Sequence, residues 1–359
     1  MSTAASTSSA FSRPTRSEGT TMPDLNWIDV ESIGVEGKGW TDTDSFYDRF
    51  PARAQPLIPP GVWEHANHSA GLCAHFQTNA SQIHARWSLD PDRPLAMGHM
   101  PATGVSGLDL YVHHPTLGYR FLACATPDQP NNESQLANLP DAVPRTYRLY
   151  LPLYNQLQKL EIAVEPQADL QPIAPRTEKP ILYYGTSITQ GGCAARPGMA
   201  FPSIIGRRID RPHINLGFSG NGRCEPEVID LIAELDPCIF VIDTVANMGA
   251  ELVDQRMTNS VRQLRAARPD TPILLIESPA YDLPLRLTGQ QIPRPTGNVA
   301  LQNAYDSLIA DGLTDLHYLP GPSLLGPDCE GAVDGTHPTD LGFMRMADAI
   351  TPALQQILK

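Results

Sequence analysis

Five continuous apolar runs follow one another in the second half of the chain: Ile181–Tyr184, His213–Phe218, Cys238–Val245, Ile273–Ile276 and Leu316–Leu319. Strands that are apolar at consecutive positions must be buried on both faces, which is the habit of parallel sheets covered by helices. The intervening and following stretches carry helical periodicity near Phe201–Asp210, Glu225–Leu235, Glu251–Ala267, Val299–Leu313 and Pro338–Leu358. Strand and helix in alternation predict an α/β domain over residues 180–359, with a flavodoxin-like, doubly wound sheet of five parallel strands. Ligands of such sheets sit outside the carboxyl ends of the strands. Ser187, Ser219, Asn221 and Asn247 each follow a strand within a few residues, so the chemistry is to be sought among them.

Upstream the pattern is different. Short alternating runs recur at Ser81–Ser88, Leu108–Val112, Arg120–Cys124, Arg145–Leu151 and Lys159–Val164, punctuated by Pro and Gly. They predict an all-β domain over residues 23–165, closed as a jelly-roll-like sandwich. Trp27–Phe50 mixes aromatics with Asp and Gly without helical period and is expected to pack an edge of this first domain. Residues 166–179 contain Pro166, Pro172 and Pro175 with little apolar content and read as a linker. A chain of 359 residues, 41% of them hydrophobic, can build a core in each of two domains.

The formal charge of −13 opposes nucleic acid or an anionic membrane as partner, since both need a basic surface. A neutral small molecule or a glycan fits better. No window reaches the roughly 18 to 20 apolar residues of a spanning helix. Residues 1–22, rich in Ser, Thr and Ala without an apolar h-region, read as a disordered arm, with Met22 an alternative start. Six cysteines (Cys73, Cys124, Cys193, Cys224, Cys238, Cys329) form no Cys-x-x-Cys pair and read as buried free thiols, which suits a reducing cytoplasm; export stays open.

The run Ile181–Tyr184 stops at Gly185 and delivers Ser187 to the sheet edge. Serine is a weak nucleophile until a base stands within hydrogen-bond reach. His337 can be that base: Asp334, three residues earlier in a turn, can reach Nδ1, fix the tautomer and leave Nε2 for the serine proton. The backbone N–H of Ser187, the N–H of Gly220 in Phe218-Ser-Gly-Asn221 and the side-chain amide of Asn247 lie on three successive loops and can converge as oxyanion donors.

These blocks resemble the SGNH, or GDSL-type, hydrolase superfamily. Gly185-Thr-Ser-Ile-Thr189 takes the place of its Gly-Asp-Ser-Leu block, Ser219-Gly-Asn221 holds its glycine, Asn247 its asparagine and Asp334-Gly-Thr-His337 its closing Asp-x-x-His. The resemblance implies an esterase that needs no metal or other cofactor, with Ser187 as nucleophile, His337 as base, Asp334 as its orienter, and Gly220 with Asn247 as oxyanion donors. Thr186 replaces the aspartate of the GDSL block, and Asn247 lacks the usual Gly-x-Asn-Asp setting. Both departures resemble a subgroup with an amino-terminal β domain bearing Gly-x-Asp-Leu-Tyr, and this chain has Gly107-Leu-Asp-Leu-Tyr111.

Other readings of the same residues compete. Ser219 is a rival nucleophile, although the Gly-x-Ser-x-Gly pattern fails at Asn221. Asp109 and Tyr111 share one face of their strand, opposite Leu108, Leu110 and Val112, which favours pairing within the sandwich or contact between domains over substrate binding. His113 and His114 face opposite ways and do not suit a metal. Arg196 and Arg223 follow the Ser187 and Gly220 loops and are candidates to contact a substrate carboxylate or phosphate; surface salt bridges are the alternative. The loop Gly191–Gly198 lacks the bulk of a lipase lid, which predicts an open, polar pocket. The resulting expectation is a serine esterase acting on a short-chain ester, an acetylated carbohydrate in particular, with a carbohydrate-binding protein or an acyltransferase on the same fold as alternatives.

Overall fold

The computed structural model describes residues 25–279 and 295–359; the arm expected at residues 1–22 lies outside them. The five apolar runs form β11 (Ile181–Gly185), β12 (His213–Gly217), β13 (Ile239–Asp243), β14 (Ile273–Ile276) and β15 (Leu316–Leu319). All pair in parallel in the order β12-β11-β13-β14-β15, so the sheet reverses direction of winding at β11. That switch point is where a ligand crevice opens. Both faces are buried: Leu182 and Tyr184 pack with Phe218 and Val228 on one side, while Ile181 and Tyr183 meet Phe201, Phe343 and Ile350 on the other. The helices Phe201–Arg208, Pro226–Glu234, Val245–Ala267, Thr296–Ala310 and Asp340–Ile357 cover the sheet. The third starts six residues earlier than its periodicity predicts, because a first turn at Val245–Met248 precedes a kink at Gly249 (φ 65°), a backbone angle that glycine adopts without steric cost.

The first domain is a sandwich of antiparallel sheets. β1 (Asn26–Asp29), β9 (Leu157–Val164), β4 (Gln82–Leu89) and β7 (Asn131–Asn138) form one. β10 (Leu170–Pro172), β3 (Cys73–Thr78), β8 (Arg145–Tyr150), β5 (Leu108–His114) and β6 (Gly118–Ala125) form the other, with β2 (Val35–Glu36) also on β3. Ile83, Ala85, Trp87, Leu108, Leu110, Leu149 and Ile162 fill the space between. The segment 166–179, read as a linker, thus contributes a short edge strand, β10, before it leaves the sandwich.

Of the stretch after Gly37, Phe46 and Tyr47 pack on the core of the first domain as the sequence suggested, but its other aromatics do not. Trp40, Phe50, Ala54, Ile58, Val62 and Ala66 join the core of the α/β domain, with the rings of Phe50 and Phe218 5.1 Å apart. The cause is Arg49, which is 2% exposed. Its guanidinium donates to the carbonyls of Asn215 (2.8 Å) and Gly217 (2.9 Å) at the end of β12 and to that of His68 (2.8 Å). A buried charge needs such a full set of acceptors, and burial still lowers its pKa to about 9. The six cysteines are all free; Cys73, Cys193 and Cys224 are buried, Cys124 and Cys238 half-buried, and Cys329, against expectation, exposed. No helix among the described residues is long and apolar enough to cross a membrane.

Candidate active site

β11 hands the chain to Ser187 through a backbone with no room to spare. A Cβ at Gly185 would stand 2.1 Å from the Thr189 hydroxyl and 2.7 Å from the Asp243 carbonyl, so glycine alone fits. Thr186 then caps the single helical turn Ser187–Gln190, its Oγ1 accepting from the N–H of Ile188 at 3.2 Å. Capping a turn is work a threonine hydroxyl can do as well as a carboxylate, which accounts for the departure from the GDSL block. The N–H of Ser187, first in the turn, has no carbonyl behind it to bond.

The closing block brings the other two residues. Asp334 Oδ1 accepts from the N–H groups of Thr336 (2.9 Å) and His337 (2.8 Å), and Oδ2 accepts from Nδ1 of His337 at 2.7 Å. Burial alone would raise the Asp334 carboxyl; the hydrogen bonds from His337 and Thr336 outweigh it and hold the group at about 2. A carboxylate in that state only accepts, so Nδ1 carries the proton and the lone pair is on Nε2. Nε2 lies 2.8 Å from Ser187 Oγ. Ser187 itself is 6% exposed, which strengthens the electrostatics of any charge formed there.

Two of the expected donors, Gly220 and Asn247, lie in the segments that follow β12 and β13. Gly220 has φ 68°, the left-handed region where a side chain strains the backbone. Asn247 Oδ1 accepts from the N–H of Gly222 at 3.2 Å, which fixes the amide orientation and leaves its NH2 available. Asn221 shapes the same loop by donating to the Ser219 carbonyl at 2.7 Å. Ser219, the rival nucleophile, lines the cavity, but the hydrogen-bonded imidazole belongs to Ser187.

A cavity of about 330 Å³ opens beside His337. Gly192, Ser219 and Tyr154 line it together with Glu64, His65, His68, Arg93, Pro94, Met97, His99 and Met100. This corrects the open, polar pocket expected from the Gly191–Gly198 loop: the first domain supplies a wall that is apolar at Pro94, Met97 and Met100. Several of these residues carried no signal in the sequence. Tyr154 donates to the Ser187 carbonyl at 3.2 Å. Gln190 accepts from the Ser219 N–H, donates to the Leu153 carbonyl and lies 3.0 Å from Nδ1 of His68. Burial and then the neighbouring His65 push the His68 imidazole well below its ordinary range, so it is neutral. Only the spacing His65-x-x-His68, with His65 in the helix Pro60–Ala66 and His68 just past its cap, could have drawn attention, and the partners of His68 lie far away in sequence.

Arg196 is not among the residues lining the cavity. Its guanidinium donates to Asp109 Oδ2 at 2.8 Å and to Tyr111 OH at 2.5 Å and lies 4.0 Å from the centre of the Phe121 ring. The Gly198 N–H also donates to Asp109 Oδ2, at 2.8 Å. The Gly-x-Asp-Leu-Tyr residues therefore grip the Gly191–Gly198 loop from the other domain, as the shared face of Asp109 and Tyr111 allowed. The reason is charge: Asp109 is wholly buried, and Arg196 is the cation within reach. Arg223 is exposed, and its carbonyl accepts from Arg256 at 2.8 Å.

A serine, an imidazole and a carboxylate in hydrogen-bonded series define the equipment of a serine hydrolase. Residues 178–355 match the model of the GDSL-like lipase/acylhydrolase family, and residues 25–170 match that of the N-terminus of SGNH hydrolase-type esterases. A protein of Bacteroides ovatus described as a GDSL-like lipase is 31% identical, over 93% of this chain and 98% of its own, with a TM-score of 0.87. The chain belongs to the GDSL-like lipase/acylhydrolase family and is an SGNH-type ester hydrolase. Two solved structures share its fold at lower identity. The salicylyl-acyltransferase of a tetracycline biosynthetic pathway is 19% identical over 93% of this chain and 97% of its own, with a TM-score of 0.72. A family two carbohydrate esterase of Cellvibrio japonicus is 14% identical over 94% and 99%, with a TM-score of 0.57. Among the curated proteins compared, none matches.

Proposed function

We propose that the protein removes a short acyl group, acetyl in the first instance, from a hydroxyl of a carbohydrate through an acyl-serine on Ser187. As Ser187 Oγ attacks the ester carbonyl, His337 Nε2 takes its proton, and Asp334 stabilises the imidazolium without taking a proton itself. The oxyanion rests on the N–H groups of Ser187 and Gly220 and on the Asn247 amide. His337 returns the proton to the departing alcohol; a water then enters, gives a proton to the same nitrogen and releases the acid.

The observation that carries this reading is the 2.8 Å contact from Ser187 Oγ to His337 Nε2 in series with the 2.7 Å contact from Nδ1 to Asp334. The cavity of about 330 Å³ stands near the lower end of small-molecule sites, which favours a short acyl chain. Glu64, His65 and Arg93 on its wall offer polar partners for sugar hydroxyls, and the Cellvibrio japonicus carbohydrate esterase carries its activity on the same fold. Hydrolysis of p-nitrophenyl acetate, p-nitrophenyl octanoate and a panel of acetylated oligosaccharides tests it with wild type and Ser187→Ala. Acetate release from the sugars, abolished in the variant, is the expected result. Unchanged hydrolysis by a folded Ser187→Ala protein refutes the nucleophile, and a preference for octanoate refutes the acyl size.

A further inference from the structure

Three side chains with soft or borderline donor atoms meet at the rim of the site: His99 from the first domain, and Cys193 and His337 from the second. One ligand atom of each lies within 4.8 Å of the others. The rings of His99 and His337 stand 5.5 Å apart between centroids, and Cys193, next to Gly192 of the cavity lining, holds φ 72°. The proposed hydrolysis uses neither His99 nor Cys193.

We infer that these three residues form an inhibitory site for zinc or a similarly thiophilic divalent ion. Imidazole and thiolate are the donors zinc selects, whereas magnesium and calcium prefer oxygen. Bonds of about 2.0 to 2.3 Å around a tetrahedral ion set donors roughly 3.3 to 3.8 Å apart. The observed separations need a closing movement of only about 1 Å beyond that geometry. His99 is exposed and can turn toward the ion, while Cys193 is buried and held by its loop. The two nitrogens of His337 are both committed, Nε2 to Ser187 and Nδ1 to Asp334. Coordination through either one breaks the series: it removes the lone pair that accepts the serine proton, or it displaces the carboxylate that orients the ring. Zinc bound here therefore silences the enzyme from the edge of the same cavity, which His99 and His337 both line. The site also spans both domains, so filling it ties the Met97–Met100 wall to the Gly192–Cys193 loop.

Ion binding needs only the three donors; inhibition rests also on the reading of His337 as the base. Full-length protein freed of metal with EDTA is titrated with zinc chloride by calorimetry, with magnesium chloride as the control. One zinc per chain is expected, no magnesium, and an affinity reduced about tenfold or more in Cys193→Ala and in His99→Ala. In parallel, p-nitrophenyl acetate hydrolysis by the wild type falls as the site fills and recovers on adding EDTA. Cys193→Ala matches the wild-type rate without metal and keeps it through the same zinc range. Zinc that does not bind, or that binds and inhibits the wild type and both variants equally, overturns the inference. A metal-free wild type that binds zinc yet hydrolyses no ester strikes the esterase reading instead and leaves the site standing.

Discussion

Replacing Arg196 with methionine separates the two roles open to that residue. Asp109, wholly buried, has one oxygen, Oδ2, accepting from Arg196 and Gly198, while the other, Oδ1, has no hydrogen-bond partner. Burial raises its carboxyl, and Arg196 pulls it back to about 6. Removing one member of a buried pair typically costs about 3 to 5 kcal/mol. Three features reduce the loss here. The Arg196 side chain is 21% exposed, the Gly198 N–H remains, and methionine keeps contact with the Phe121 ring. About 2 to 3 kcal/mol at neutral pH is the result.

The loss depends on pH, and its sign follows from the direction of the shift. A carboxyl raised in the folded state contributes stability that is present at low pH and lost as pH rises through its folded value. In the wild type that decline ends above about 6. Without Arg196 the folded value is higher still, so the variant goes on losing stability after the wild type has levelled off. The difference is accordingly small near pH 5 and larger near pH 8. Urea unfolding followed by tryptophan fluorescence reads it as a midpoint shift at constant slope. Combining Arg196→Met with Asp109→Asn shrinks the cost of the first substitution, since no charge is then stranded. If Arg196→Met leaves the midpoint unmoved at both pH values and raises KM instead, the residue belongs to substrate binding and the clamp is wrong.

Two further outcomes follow from the site and its core. Asn247→Asp preserves an acceptor for the Gly222 N–H but removes the donor, so kcat for p-nitrophenyl acetate falls by about 10² to 10³ with the fold intact; a change of only a few-fold removes Asn247 from the oxyanion site. Asp243, wholly buried behind Thr189, has its carboxyl raised by burial to about 7. The unfolded chain releases that proton near pH 4, so Asp243 destabilises the fold progressively as pH rises from about 4 to about 7. Asp243→Asn gains stability relative to wild type across that window, on the order of a few kcal/mol, in urea unfolding at a series of pH values, and a flat difference refutes the assignment.

The second domain was legible because its strands are apolar on consecutive positions and its helices are not. Ile273–Ile276 and Leu316–Leu319 fall where the sequence puts them, and the other three strands differ only at their ends. Ser187, Asp334 and His337 were legible for a different reason: each sits in a local block whose residue types make sense only together. The polar strand β7, Asn-Asn-Glu-Ser-Gln-Leu-Ala-Asn, was not legible, since its stability comes from pairing with β4 and not from alternation. Nor was the destination of residues 40–66, which have no period to show which core will take them. The partner of Arg196 was not legible because Asp109 lies 87 residues away, and a buried aspartate looks no different in sequence from an exposed one. The pocket wall from Arg93 to Met100 was hidden by the same separation of chain and space.

Arg49 has a consequence for the order in which the molecule can be made. It leaves the ribosome long before Asn215 and Gly217, whose carbonyls receive its guanidinium. Until β12 has been synthesised and paired, the helix Pro60–Ala66 and the aromatics around it have no surface to close on. Contacts this distant in sequence slow folding, because the loop must close before they repay it. The α/β half, made alone, would start with the end of its edge strand uncapped. The segment from Trp40 to Ala66 therefore reaches its place only after β12 has been made.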